Sequence, residues 1–280
     1  MGHSVVFWSP VSGQTGNTTN LIAAASLLGL EYTARSLLLG HLQSRRAPVE
    51  QAFMRRRVPA EGDLALVADT GIDALLRLAH NRKLQPGSIR DYTVPLLKDR
   101  LDLLPGSNKA DKAFISSAKD MLPPMLETVK RYYDLVLIDG GSGTGSGWMQ
   151  TLLQQADMVV ISLNQNRFLL ERFFHVAQSH PLLAGKRLLI VLGQYDRHSA
   201  MSAKNAARQY KWKDPLYPVA HHAGWMDASQ GGRAIDFLFR NRQAPREHDN
   251  YTFMQHVRTL AQAIADAAGI NKPYFGGKGE

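Results

Sequence analysis

The sequence predicts an α/β fold, a three-layer, mostly parallel sheet with helices on both faces. Three observations predict it. Short runs such as Asp134–Ile138 and Met158–Leu163 are apolar almost throughout, as strands buried on both faces are. These runs alternate with stretches whose apolar residues recur at helical spacing. Glycine-rich turns follow two of the runs, Ser4–Trp8 and Asp134–Ile138. In such sheets ligands sit outside the carboxyl ends of the strands.

Along the chain, Ser4–Trp8 reads as the first strand. The Ala/Leu-rich stretch Asn17–Leu30 is the helix that follows, and Ser36–Leu39 is a second buried strand. Gly40–Asp63 is basic, holds two prolines and reads as irregular. Asp69–His80 is helical, with Leu75, Leu76 and Ala79 on one face. Tyr92–Leu97 and Arg100–Leu104 are short strand candidates, the second closed by Pro105-Gly106. Asp111–Tyr132 has a long helical pattern that Pro123-Pro124 is expected to kink or break. A glycine-rich turn, Gly140–Gly147, separates the next strand from a helix ending at Ala156. Met158–Leu163, Arg187–Leu192 and Leu216–Ala220 are further strands, with helices over Leu169–Gln178 and Ala200–Tyr210. Met226–Phe239 and Tyr251–Ala268 are the last helices. Residues 1–270 are expected to form one domain and residues 271–280 a flexible tail.

Composition bounds the function. The 280 residues are 44% hydrophobic, ordinary for a globular chain. No apolar run approaches the roughly 20 residues that span a bilayer, and the start, MGHSVVFW, does not read as a signal peptide. With no cysteine there is no disulfide framework and no thiolate metal site, which fits the cytoplasm. The net charge of +9 favours polyanionic partners or marks a solvated basic surface.

The first turn, Ser12-Gly13-Gln14-Thr15-Gly16-Asn17-Thr18-Thr19, supplies consecutive backbone N–H groups at a helix start. Such groups hold phosphate oxygens, helped by the helix dipole. Thr18 stands where a hydroxyl reaches Mg²⁺ in a phosphate-binding loop, and Asn17 where such a loop carries its lysine. Asparagine donates a hydrogen bond without charge, and charge-assisted bonds are about twice as strong. The alternative is a capped glycine turn with no ligand. Asp139 ends an apolar strand at the sheet's carboxyl edge, where it could bind Mg²⁺ through water or simply cap a turn.

Together these segments resemble the ParA/MinD family of phosphate-loop ATPases, whose loop reads K-G-G-x-G-K-T-T. Gly13, Gly16, Thr18 and Thr19 match, while Ser12, Gln14 and Asn17 replace two lysines and a glycine. YDLVLIDGG matches the family's second acidic motif at Asp139. LDLLPGSN (Leu101–Asn108), RLLIVLGQYD (Arg187–Asp196) and VAHHAGWMDASQGGRAIDF (Val219–Phe237) resemble later family segments. Gly193-Gln194 stand where the family often has an adenine-reading Asn-Arg, and Gly40, His41 and Gln43 where it usually has an acid. The resemblance implies a P-loop NTPase-like fold that binds ATP or ADP with Mg²⁺ through residues 12–19, with Thr18 and Asp139 near the metal. It implies a homodimer that organises or scaffolds a larger assembly, with weak or absent ATPase activity. The TadZ/CpaE-like branch, which serves Tad-type pilus assembly, is the suggested subfamily. The alternatives are an active partition ATPase that grips DNA non-specifically, with one of Arg55–Arg57 supplying the missing charge, and an interaction module with an empty pocket.

Other patterns carry less. His221-His222 lack further metal-ligating neighbours, and GSGTGSG (Gly141–Gly147) fits no dinucleotide fingerprint but suits a switch sensing a γ-phosphate. Arg233, Arg240, Arg242 and Arg246 form a basic segment that reads as a solvated face or a phosphate grip. Phe253, Val257, Leu260 and Ile264 are a core or dimer stripe, so membrane contact is not expected.

Overall fold

Alternation along each central strand builds two cores, one on each face of a single sheet. A computed structural model describes residues 1–39, 48–54, 71–107, 112–145, 147–177 and 180–270. In β1 (His3–Ser9), Val5 and Phe7 join one apolar cluster while Val6 and Trp8 join the other. In β5 (Leu135–Ser142), Leu135 and Leu137 point one way and Val136 and Ile138 the other. Both sets are buried, which is why these strands read as apolar throughout.

Among the described residues the sheet has eight strands in the order β3-β4-β2-β5-β1-β6-β7-β8. Besides β1 and β5 they are β2 (Ser36–Leu39), β3 (Val94–Leu97), β4 (Leu101–Leu104), β6 (Met158–Leu163), β7 (Arg187–Tyr195) and β8 (Leu216–Ala220). All neighbours are parallel except β3 and β4. The α/β class and the sandwiched sheet are as the sequence predicts.

Helices α1 (Asn17–Glu31), α2 (Pro48–Gln51), α8 (Ala223–Gln230), α9 (Ala234–Asn241) and α10 (Asn250–Ala267) lie on one face. Helices α3 (Ile72–His80), α4 (Lys112–Lys130), α5 (Gly147–Gln155), α6 (Arg167–Ala177) and α7 (Ala203–Gln209) lie on the other. Helix α1 is apolar nearly all round because it packs on the sheet and against α9 and α10.

Four elements depart from expectation. Helix α4 is not broken by Pro123 and Pro124, which lie on its outer side between the buried Leu122 and Met125. The carbonyls they leave without N–H partners belong to the exposed residues Lys119 and Asp120, where water can serve them. The helix expected over Met226–Phe239 is two, α8 and α9, divided at Gly231-Gly232 with Gly232 at φ 66°. Strand β5 runs on through Gly140 to Ser142, so the glycine turn is shorter than expected. The short helix α2 lies within the segment expected to be irregular. Most of that segment, including Gly40, His41, Gln43 and Arg55–Arg57, lies outside the described residues, as do Ser146 and the tail 271–280.

Candidate functional site

Parallel order brings the carboxyl ends of β1 and β5 side by side, with Phe7 in register with Asp139. The chain then turns out of β1 through residues 10–16 and enters α1. Ser9 ties the turn: its Oγ donates to Val11 O (2.8 Å) and accepts from Thr15 Oγ1 (3.0 Å). Thr15 is buried, while Ser12, Gly13 and Gln14 are exposed. Asn20 Nδ2 donates to Thr15 O and Asn164 Nδ2 to Gln14 O, both at 3.3 Å.

Gly16 caps α1 in the left-handed region (φ 65°), and no side chain bonds the first-turn amides. No acidic residue stands in that turn either. The positive end of the helix and its free N–H groups are therefore left for solvent or an anion. The loop also leans on β7. A Cβ on Gly193 would overlap the carbonyl oxygen of Thr15, so only glycine lets strand and loop approach this closely.

Asn17 turns inward. Its Nδ2 donates to Phe7 O (3.1 Å) and to Asp139 Oδ1 (3.1 Å), with Gly141 O further off at 3.5 Å. The side chain bridges β1 and β5 below the loop. Its Oδ1 is buried with no partner among the described residues. Thr18 Oγ1 donates to Asp139 Oδ2 (2.6 Å), and Gly141 N donates to Oδ1 (2.9 Å). Asp139 is 3% exposed, and each of these three donors is neutral. No ion pair to Asp139 is found among the described residues.

The residues present fit a hard divalent cation at Thr18 and Asp139, because a hydroxyl and a carboxylate meet there without a competing cation. They fit a phosphate through main-chain amides alone, since the Asn17 amide is spent on the strands. Every nominated residue from Ser12 to Thr19, and Asp139, thus lies around one point of the sheet edge. No three or more His, Cys, Asp or Glu side chains group to hold a metal among the described residues.

Sequence reasoning missed the supports at Trp8, Ser9 and Asn20, and read Gln194 only as the occupant of an adenine-reading position. Trp8 Nε1 donates to Gly143 O (2.7 Å), and Gly143 N donates to Ser9 O (2.9 Å), lacing the turn after β5 to β1. Ser9 and Asn20 hold the loop as described. Gln194 sits at φ 51°, beside Gly16, with its Oε1 against His221 Nδ1. Its signal was the interruption of the β7 apolar run at Gly193. His222 Nδ1 accepts from Trp225 N (3.0 Å) and caps α8, while burial pushes its pKa down.

No protein-family model matches the chain, and no curated protein matches it. Solved structures do. A ParA family ATPase from Chlorobium tepidum TLS superposes with a TM-score of 0.69 at 13% identity, over 94% of this chain and 99% of that one. The septum site-determining protein MinD from Pyrococcus horikoshii OT3, complexed with Mg-ADP, gives 0.69 at 18% identity, over 96% and 98%. The ATP complex of a McdA point variant from Cyanothece gives 0.63 at 15% identity, over 97% and 98%. No described helix is long and apolar enough to cross a membrane. The chain has the fold of the ParA/MinD-type ATPases.

Proposed function

We propose that this protein binds a nucleotide diphosphate or triphosphate with Mg²⁺ through the main-chain amides of Gly13–Thr19, with Thr18 and Asp139 beside the metal, and hydrolyses it weakly or not at all. One observation carries the reading. Asn17, at the lysine position, spends its amide on Phe7 O and Asp139, so the loop keeps its amides and lacks a side-chain cation. Mg²⁺, when bound, would neutralise charge on the phosphates. The residues of this chain orient the anion and hold the Thr18 and Asp139 oxygens. In-line attack by water would lack the fixed cation that stabilises the transition state.

A nucleotide site without efficient turnover suits a protein that holds partners in place. We read the chain as one domain over residues 1–270, forming a homodimer that scaffolds an assembly or partition machinery, a Tad-type pilus apparatus being one such machine. The fold it shares with MinD and McdA supports the positioning role. Calorimetric titration with ATP, ADP and GTP, with and without Mg²⁺, tests the site. Heat with Mg-nucleotide and turnover far below an intact relative is the expected result. No heat and no shift in melting temperature with any nucleotide would remove nucleotide binding.

A further inference from the structure

A second concave feature lies next to the loop and is not used by the nucleotide reading. It is a cavity of about 270 Å³ between α6 and the turn after β5. Trp8, Phe173 and Leu183 give it an apolar wall, Gly143 its floor on the loop side, and Arg172 and His180 its only titratable lining groups. Both of those are basic and no acid lines it. Glu171, the one acid of α6, is exposed and does not line the cavity. Arg172 is exposed and makes no hydrogen bond or ion pair among the described residues. His180 Nδ1 accepts from Leu182 N, so Nε2 is the ring nitrogen left to donate.

The surface beside the cavity is apolar too. Phe168 is 73% exposed and Val176 is 43% exposed, although large hydrophobic residues are otherwise mostly buried. With Arg172 they stand at steps of four along α6, hence on one face. From Phe168 to Val176 the stripe runs about 12 Å at 1.5 Å per residue. Arg172 and Val176 also line the cavity, so cavity and stripe make one continuous strip that suits an extended chain.

We propose that this groove docks an acidic peptide segment of another protein, an apolar side chain seated against Trp8 and Phe173 and a flanking carboxylate on Arg172. Charge complementarity selects the partner: among the described residues the groove is lined by cationic and N–H donor groups and by no acid. The groove's wall is tied to the other site, because Gly143 takes the Trp8 indole N–H and follows Asp139 by four residues. This inference stands independently of nucleotide binding.

The experiment uses the full chain and labelled short peptides carrying a leucine–phenylalanine anchor flanked by glutamates. Controls replace the glutamates by lysines, or the anchor by serines. Fluorescence polarisation is expected to show saturable binding of the acidic, anchored peptide only, with a change in Trp8 emission that is lost in Trp8→Phe. Arg172→Glu is expected to weaken that binding about tenfold or more and Phe168→Ala several-fold, each with unchanged circular dichroism and melting temperature. Equal binding of acidic and basic peptides overturns the proposal. So does undiminished binding by Arg172→Glu, or no binding of any anchored acidic peptide at a concentration on the order of 1 mM. Two further outcomes overturn it in favour of another occupant: sedimentation with phosphatidylserine vesicles that requires Phe168, or a dimer that Phe168→Asp converts to monomer.

Discussion

Asp139 and Asp157 stand at opposite edges of the same sheet and are treated differently. Asp157, just before β6, accepts from Ser4 N and Ser4 Oγ (both 2.8 Å) and from Lys130 Nζ (3.4 Å). Burial alone would push its pKa up, but the Ser4 donors and the Lys130 ammonium hold it below the ordinary carboxylate range. Lys130 is itself buried and also bonds Glu127. Asp139, within the carboxyl half of β5, is more buried than Asp157 and has only neutral donors among the described residues. The amino-edge carboxylate is finished as a structural clasp. The carboxyl-edge one takes three neutral donors and no cation among the described residues, which is compatible with the Mg²⁺ proposed above.

Removing the clasp should have the largest effect. Asp157→Asn leaves Lys130 short of a counter-charge and is expected to cost about 2 kcal/mol in urea denaturation, below the range for fully buried pairs because Asp157 is partly exposed. Nucleotide affinity should not move; if it falls in step with stability, the two edges are not independent.

Asn17→Lys makes the carboxyl edge more like the amino edge, by placing an ammonium near Asp139 and the loop. Nucleotide affinity is expected to tighten about tenfold, the margin of a charge-assisted over a neutral bond. Turnover should rise less than affinity, because the other replaced loop residues remain. Single-turnover assays showing the rate of an intact relative would break the comparison.

Asp139→Asn removes a charge without a counter-ion and retains oxygen acceptance from Thr18. Stability is expected to change by less than about 1 kcal/mol, whereas the Mg²⁺ dependence of nucleotide affinity should fall several-fold. Titrations with and without Mg²⁺ read this directly.

The smallest effect concerns pH. His256 Nδ1 accepts from Ala220 N (3.2 Å), and burial pushes its pKa below the usual 6.5. His222 is shifted the same way, chiefly by burial. A histidine held neutral in the fold leaves the unfolded chain binding more protons below pH 6.5, so stability falls as pH drops from there. Asp157 acts in a lower window: its contribution is present above about pH 3.8 and is lost as pH falls through its depressed pKa. Melting curves between pH 7.5 and 5 should therefore slope downward on acidification, less so in His256→Gln and unchanged in slope in Asp157→Asn.

Much of the fold was legible because burial on both faces leaves apolar runs. Ser36–Leu39, Met158–Leu163 and Leu216–Ala220 have the same bounds in sequence and structure. Helix α4 departs from its sequence reading because the cost of two prolines depends on which carbonyls they orphan, and those are on exposed residues. The Gly231-Gly232 break was visible as two glycines but outweighed by helical periodicity on either side.

The chain alone determined that an amide-rich turn precedes a helix, that no lysine stands at residue 17, and that a carboxylate follows an apolar run at residue 139. Local chemistry suffices for those statements, since they concern residues within a few positions of one another. Only the tertiary structure decided that Asn17 reaches Asp139 across 122 residues, that Trp8 laces Gly143 to β1, and that Asp157 rather than Asp139 receives a lysine. Strand order fixes which ends become neighbours, and that order is set by the packing of two cores against one sheet, not by any single segment.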